Sequence, residues 1–69
     1  MNFALELRNR RVQAGYTQQE LAEKAHVSHV MIAKYESGVA LPTIMVAKLL
    51  ADAVGATLDE LVKEENNGN

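Results

Sequence analysis

Apolar residues recur along this chain at helical spacing and not at strand spacing. Phe3, Leu7, Arg11 and Ala14 fall three or four positions apart on one face, and Gly15 follows as a helix stop. Thr17-Gln18-Gln19-Glu20 has the form of a capping box, in which the threonine hydroxyl accepts from an early amide and Glu20 reaches back to the cap amide. It opens a second helix with Leu21, Ala22 and Ala25 turned inward, ending at about Ala25. Ser28, another N-cap residue, opens a third helix that runs to about Ser37 and is stopped by Gly38. After a loop from Val39 to Pro42, the most apolar segment, Thr43 to Val54, predicts a fourth helix closed by Gly55. Thr57-Leu58-Asp59-Glu60 repeats the capping box and starts a short fifth helix through about Lys63. No run alternates apolar and polar over five residues, so no strand is expected. The predicted fold class is all-α, with five helices.

Length limits what these helices can do. Sixty-nine residues make one domain, predicted over residues 1–63, with residues 64–69 a polar segment expected to fray. The initial Met1 and the polar ending favour a whole protein. A chain this short hides about 60% of the surface it would expose unfolded, and its core rarely yields more than about 3–5 kcal/mol net. A deep catalytic cleft would consume that margin, and no enzyme is expected. The hydrophobic fraction of 48% is too high for disorder, and the absence of cysteine excludes disulfides and zinc-thiolate sites. No apolar run approaches the ~18 residues of a membrane span. The first residues lack the basic start of a secretory signal, so the expected compartment is cytoplasmic.

The informative stretch is Thr17 to Gly38. Two capped helices are separated only by His26 and Val27, a joint tight enough to cross them at roughly 90–120°. Leu21, Ala22, Ala25, Val27, Ile32 and Tyr35 take the inward positions, and small Ala22 and Ala25 permit close approach. That leaves Ser28, His29, Val30, Ala33 and Lys34 on an outer face the core does not need. Charge both complicates and permits a nucleic-acid reading. The chain sums to −2, whereas nucleic-acid binders are usually basic. Residues 1–38 carry five basic side chains against four acidic, and residues 39–69 carry two against five. The N-terminal half can therefore face a phosphate backbone while the acidic half faces away.

The stretch resembles the Cro/Xre-type helix-turn-helix proteins, which include the lambdoid phage repressors. The likeness rests on Thr17, Gln18, Leu21, Ala22, Ala25, Val27, Ser28, Ile32, Tyr35, Glu36, Gly38 and Pro42, and it extends over nearly the whole chain to about Val62. It implies a compact five-helix, lambda-repressor-like DNA-binding domain with the helix-turn-helix at helices two and three. Such proteins are usually dimeric transcription regulators, and a repressor is the role expected of this chain. The implied partner is double-stranded operator DNA, with no cofactor, no metal and no small-molecule ligand.

The helix-turn-helix places the leading end of its second helix in the major groove, where each base pair shows its own donor and acceptor pattern. Ser28, His29 and Val30 sit at that end, with Ala33 and Lys34 a turn further on. His29 can donate to guanine N7 or O6, or accept from an exocyclic amine when neutral. Val30 with Ala33 can pack against a thymine methyl, and Lys34 can reach guanine or phosphate. Thr17 and Gln18, at the start of the preceding helix, and Ser37 are expected on phosphates, which fixes register without reading sequence. The resemblance pairs Arg11 with Glu36, partly buried, tying the first helix to the end of the third.

Plainer roles stand beside these. Thr17 and Ser28 are caps whatever else they do. Val30 and Met31 are alternatively a surface for a protein partner, and Met31 a core gap-filler. Arg8 and Arg10 are most simply a solvated face. His26 and His29, without a third ligand, do not make a metal site, and Ser28 beside them lacks the orienting acid of a nucleophile. Two departures from the family pattern matter. His26 stands where relatives often have glycine, at a position that tends to positive φ. The loop from Ser37 to Pro42 has no Lys or Arg, where many relatives hold phosphates.

One recognition helix spans too few base pairs for selectivity, so a homodimer on a palindromic operator is expected. Leu41, Pro42, Leu58, Leu61 and Val62 lie where relatives dimerise, and some of them must instead fill the core. The rival reading is a protein-binding module, such as an antitoxin or adaptor, which the acidic half and the bare loop favour.

Overall fold

The computed structural model describes residues 2–62. The 64–69 segment expected to fray lies outside them. Five helices follow one another: α1 (Phe3–Ala14), α2 (Gln18–Ala25), α3 (His29–Ser37), α4 (Ile44–Val54) and α5 (Leu58–Val62). Among the described residues there is no strand.

Their boundaries follow from cap chemistry. Thr17 Oγ1 accepts from the Glu20 amide at 3.0 Å, and Glu20 Oε1 accepts from the Thr17 amide at 2.8 Å. The same exchange joins Thr57 and Glu60 at 3.1 and 2.8 Å at the start of α5. Ser28 and Thr43 cap α3 and α4 by accepting from the amides of Met31 and Val46. Each such cap contributes about 1 kcal/mol, a substantial sum in so short a chain. The ends of α2 and α3 are both left-handed. Gly38 takes φ 83 at the end of α3, and His26 takes φ 60 at the end of α2, the only positive φ outside glycine among the described residues. The turn that bends α2 into α3 is thus made by a side chain that glycine would relieve.

The largest fully buried side chains are Leu7, Leu21, Ile32, Leu50 and Leu61, one from each helix. They meet in a single core that Phe3, Ala22, Ala25, Tyr35, Ala47 and Ala51 complete, with Val27 and Met31 packed at its edge. Ala14 is exposed, so the inner face of α1 ends at Arg11. The inner side of α3 packs on α1 and α2, while α4 packs on α1, α2 and α5. That leaves the side of α3 facing away from the core open to solvent. No helix of the described residues is long and apolar enough to cross a membrane.

Candidate nucleic-acid interface

The open side of α3 carries Ser28, His29, Val30 and Lys34 exposed and Ala33 half-buried. Val30 is 65% exposed although apolar. His29, Val30, Ala33, Lys34 and Ser37 line a broad, mainly apolar recess of about 450 Å³. Ser28 Oγ is occupied in capping, which sets the first turn of α3 and holds His29 and Val30 at its leading end. Ser37 Oγ donates to the Lys34 carbonyl at 3.1 Å. Met31 instead packs against the core.

Gln18 and Thr17 stand at the start of α2. The Thr17 hydroxyl accepts the capping bond and keeps its own proton to donate outward. Gln18 Nε2 donates to Glu36 Oε1 at 3.1 Å. Glu36 also receives Arg11 in a bidentate pair, Nε to Oε2 at 2.7 Å and Nη2 to Oε1 at 3.0 Å. Arg11 Nη1 donates to the Tyr16 carbonyl at 2.8 Å. With the Arg11 and Glu36 side chains only 13% and 4% exposed, this is a shielded knot joining α1, the α1–α2 turn, α2 and α3.

Most cations of the described residues are occupied. Arg10 lies 3.9 Å from Glu6 and 3.7 Å from Glu60, Arg11 holds Glu36, and Lys48 holds Asp52 at 2.8 Å. Lys24 Nζ sits 5.1 Å from the Tyr16 ring centroid. Arg8 and Lys34 make no such contact among the described residues.

The proposed dimer residues separate. Leu61 is fully buried in the core and is removed from the dimer set, because α5 needs it to anchor against α1 and α4. Leu58 and Val62 are half-buried against the same core. Leu41 stays exposed and Pro42 half-exposed, and they are joined by Ile44 and Met45, 70% and 76% exposed. Ile44 and Met45 escaped the pattern reading. The signal was there in the run Ile44-Met45-Val46-Ala47, since four consecutive apolar residues cannot all face one side of a helix.

A helix-turn-helix family model matches residues 7–61. The chain belongs to the Cro/Xre-type helix-turn-helix family. It is 35% identical over 65 residues to the HTH-type transcriptional activator BcrR of Enterococcus faecalis, a match covering 94% of this chain and 32% of that protein. The chain thus spans about a third of the length of the curated relative it matches. Among solved structures, a complex of the SinR and SinI proteins superposes with a TM-score of 0.87 at 23% identity, over 93% of this chain and 63% of that one. The hypothetical transcription factor NHTF from Neisseria superposes with a TM-score of 0.86 at 22% identity, over 91% and 72%. These two likenesses concern the fold alone.

Proposed function

We propose that this helix-turn-helix chain is a DNA-binding transcription regulator that reads a palindromic operator as a homodimer, most simply as a repressor. The observation that carries the reading is the open side of α3, where His29 and an exposed Val30 stand at the tip that family geometry sends into the major groove and Lys34, unpaired among the described residues, follows a turn further on. His29 and Lys34 supply donors to guanine, Val30 and Ala33 an apolar contact, and Thr17 and Gln18 the phosphate contacts that hold register, whereas Ser37, expected beside them, gives its hydroxyl proton to the Lys34 carbonyl. The BcrR likeness, to a protein named as a transcriptional activator, supports a regulator while leaving its sign to experiment. Leu41, Pro42 and Ile44 line one mainly apolar recess, with Leu41 and Ile44 exposed, and this face is suited to a second copy, which would set two recognition helices about one turn of DNA apart, ~34 Å.

The test is selection of duplexes from a random pool by the purified chain, followed by mobility shift. A selected palindrome, retained by the wild type and released by His29→Ala, supports the reading. Failure to enrich any duplex, together with a protein that co-purifies in stoichiometric amount, replaces it with the protein-binding module.

A further inference from the structure

A second, more polar recess lies beside the recognition face. It has a volume of about 300 Å³ and is lined by Arg8, Arg11, Gln18, Ala33, Glu36 and Ser37. It adjoins the apolar recess directly, because Ala33 and Ser37, one turn apart on α3, line both. The two differ in character: the apolar one carries the side chains suited to base edges, and this one carries charge and amide.

Two guanidinium groups face one carboxylate here. Arg11 is spent, with three of its N–H groups given to Glu36 and to the Tyr16 carbonyl. Arg8 is exposed and makes no ion pair or ring contact among the described residues. Among the described residues the recess therefore holds one uncompensated positive charge, flanked by the Gln18 carboxamide, while the Ser37 hydroxyl has given its proton to the Lys34 carbonyl. The guanidinium and the carboxamide are the partners a single phosphodiester takes, an anion with two free oxygens. Arg10, two residues on, is engaged by Glu6 and Glu60 and does not line the recess. The fold thus separates two arginines that look alike in the sequence.

We infer that Arg8, with the second amide proton of Gln18, forms a binding site for one backbone phosphate of the strand bordering the groove occupied by α3. This rests on the DNA-binding reading above and deepens it. Arg11 and Glu36 act as positioning residues, because their pair fixes one amide proton of Gln18 and so orients the carboxamide at the rim.

The experiment compares Arg8→Gln with Arg10→Gln on the selected duplex across a salt series, with ethylation interference on the same duplex. Both variants remove one positive charge from α1, so long-range attraction changes alike. The expected result is that Arg8→Gln weakens binding about tenfold. Its plot of log affinity against log salt should be shallower by about 0.9, and it should lose interference at one phosphate per half-site. The loss should be equal on the best duplex and on duplexes with one changed base pair, because phosphate contacts carry no sequence information. Arg10→Gln should keep the wild-type slope and footprint, and Arg8→Lys should recover most of the affinity. The inference is overturned if Arg8→Gln keeps the wild-type slope and footprint, or if Arg10→Gln matches its losses. In either case wild-type binding leaves the regulator reading standing. A wild-type chain that retains no duplex overturns both.

Discussion

Arg11 and Glu36, 25 residues apart, grip each other through two parallel bonds of 2.7 and 3.0 Å, and the carboxylate is the more deeply buried partner. Their loss should be unequal. Arg11→Ala strands a carboxylate that is 4% exposed with only the Gln18 amide left to it, whereas Glu36→Ala leaves a guanidinium that still holds the Tyr16 carbonyl. Breaking a buried pair costs about 3–5 kcal/mol, comparable to the whole stability of a domain this small. Arg11→Ala is expected to be largely unfolded at room temperature and Glu36→Ala folded but weakened. The double replacement Arg11→Met with Glu36→Leu should recover most of the stability, because it strands no charge. Urea titrations of the three variants by circular dichroism check the order, and a Glu36→Ala at least as damaging as Arg11→Ala refutes it.

The α2–α3 turn offers a gain in stability. His26 adopts φ 60 and ψ 42, a conformation that costs a non-glycine residue about 1–2 kcal/mol. Glycine removes that strain and costs about 0.5–1 kcal/mol of added chain freedom when unfolded. His26→Gly should leave the melting temperature unchanged or raise it, and His26→Val, branched at Cβ, should lower it clearly. Thermal melts decide, and a marked loss in His26→Gly would contradict the turn geometry.

How much of this was legible in the chain depends on how local the physics is. The helix ends were readable because Thr17 with Glu20, and Thr57 with Glu60, exchange bonds across three residues, and Gly38 stops α3 by its own backbone freedom. The outer face of α3 was readable because helical periodicity assigns Ile32 and Tyr35 inward, which leaves Val30 outward. Sorting Leu61 from Leu41 was not, because both are leucines near turns and only the packing of α5 on α1 and α4 separates them. Arg8 and Arg10 were equally opaque. Their difference lies in partners as distant as Glu60 and in a recess that α1 and α3 build together.

That sorting gives a test of assembly. Leu61→Ala opens a cavity in the core and should cost about 2–5 kcal/mol. Ile44→Ser with Leu41→Ser touches only exposed surface, so the monomer should melt near the wild-type temperature. If the patch joins two copies, the double serine variant should sediment as a monomer at concentrations where the wild type is dimeric. It should also lose preference for full palindromes over half-sites. A wild type that stays monomeric at high concentration, with no palindrome among selected duplexes, removes the dimer.

The salt dependence of binding should be shallow. Residues 37–42 carry no Lys or Arg, and the acidic residues 39–69 add none beyond Lys48 and Lys63. Each phosphate neutralised contributes about 0.9 to the slope of log affinity against log salt. With Arg8 and Lys34 the unpaired cations on the α3 side among the described residues, the slope per protomer should stay far below that of eight contacts. A steep slope in a titration from low to physiological salt would mean contacts that this surface does not supply.

Val30 makes a prediction about the operator itself. An apolar side chain 65% exposed at the leading end of α3, with Ala33 beside it, has no role in the core and is matched chemically by the C5 methyl of thymine. Covering one methyl contributes about 0.8 kcal/mol, or roughly fourfold in affinity. Replacing each thymine of the selected operator by deoxyuridine, one at a time, should therefore weaken binding about fourfold at one position per half-site and little elsewhere. The same replacement should have no effect on Val30→Ala, because the methyl and its partner are then already apart. That loss of sensitivity distinguishes a direct contact from a change in DNA shape, which would persist in the variant. A 5-methylcytosine placed at the sensitive position should recover part of the affinity that unmodified cytosine loses there. If no thymine is sensitive, or if Val30→Ala remains equally sensitive, Val30 does not touch the groove and the exposed valine must serve a protein partner.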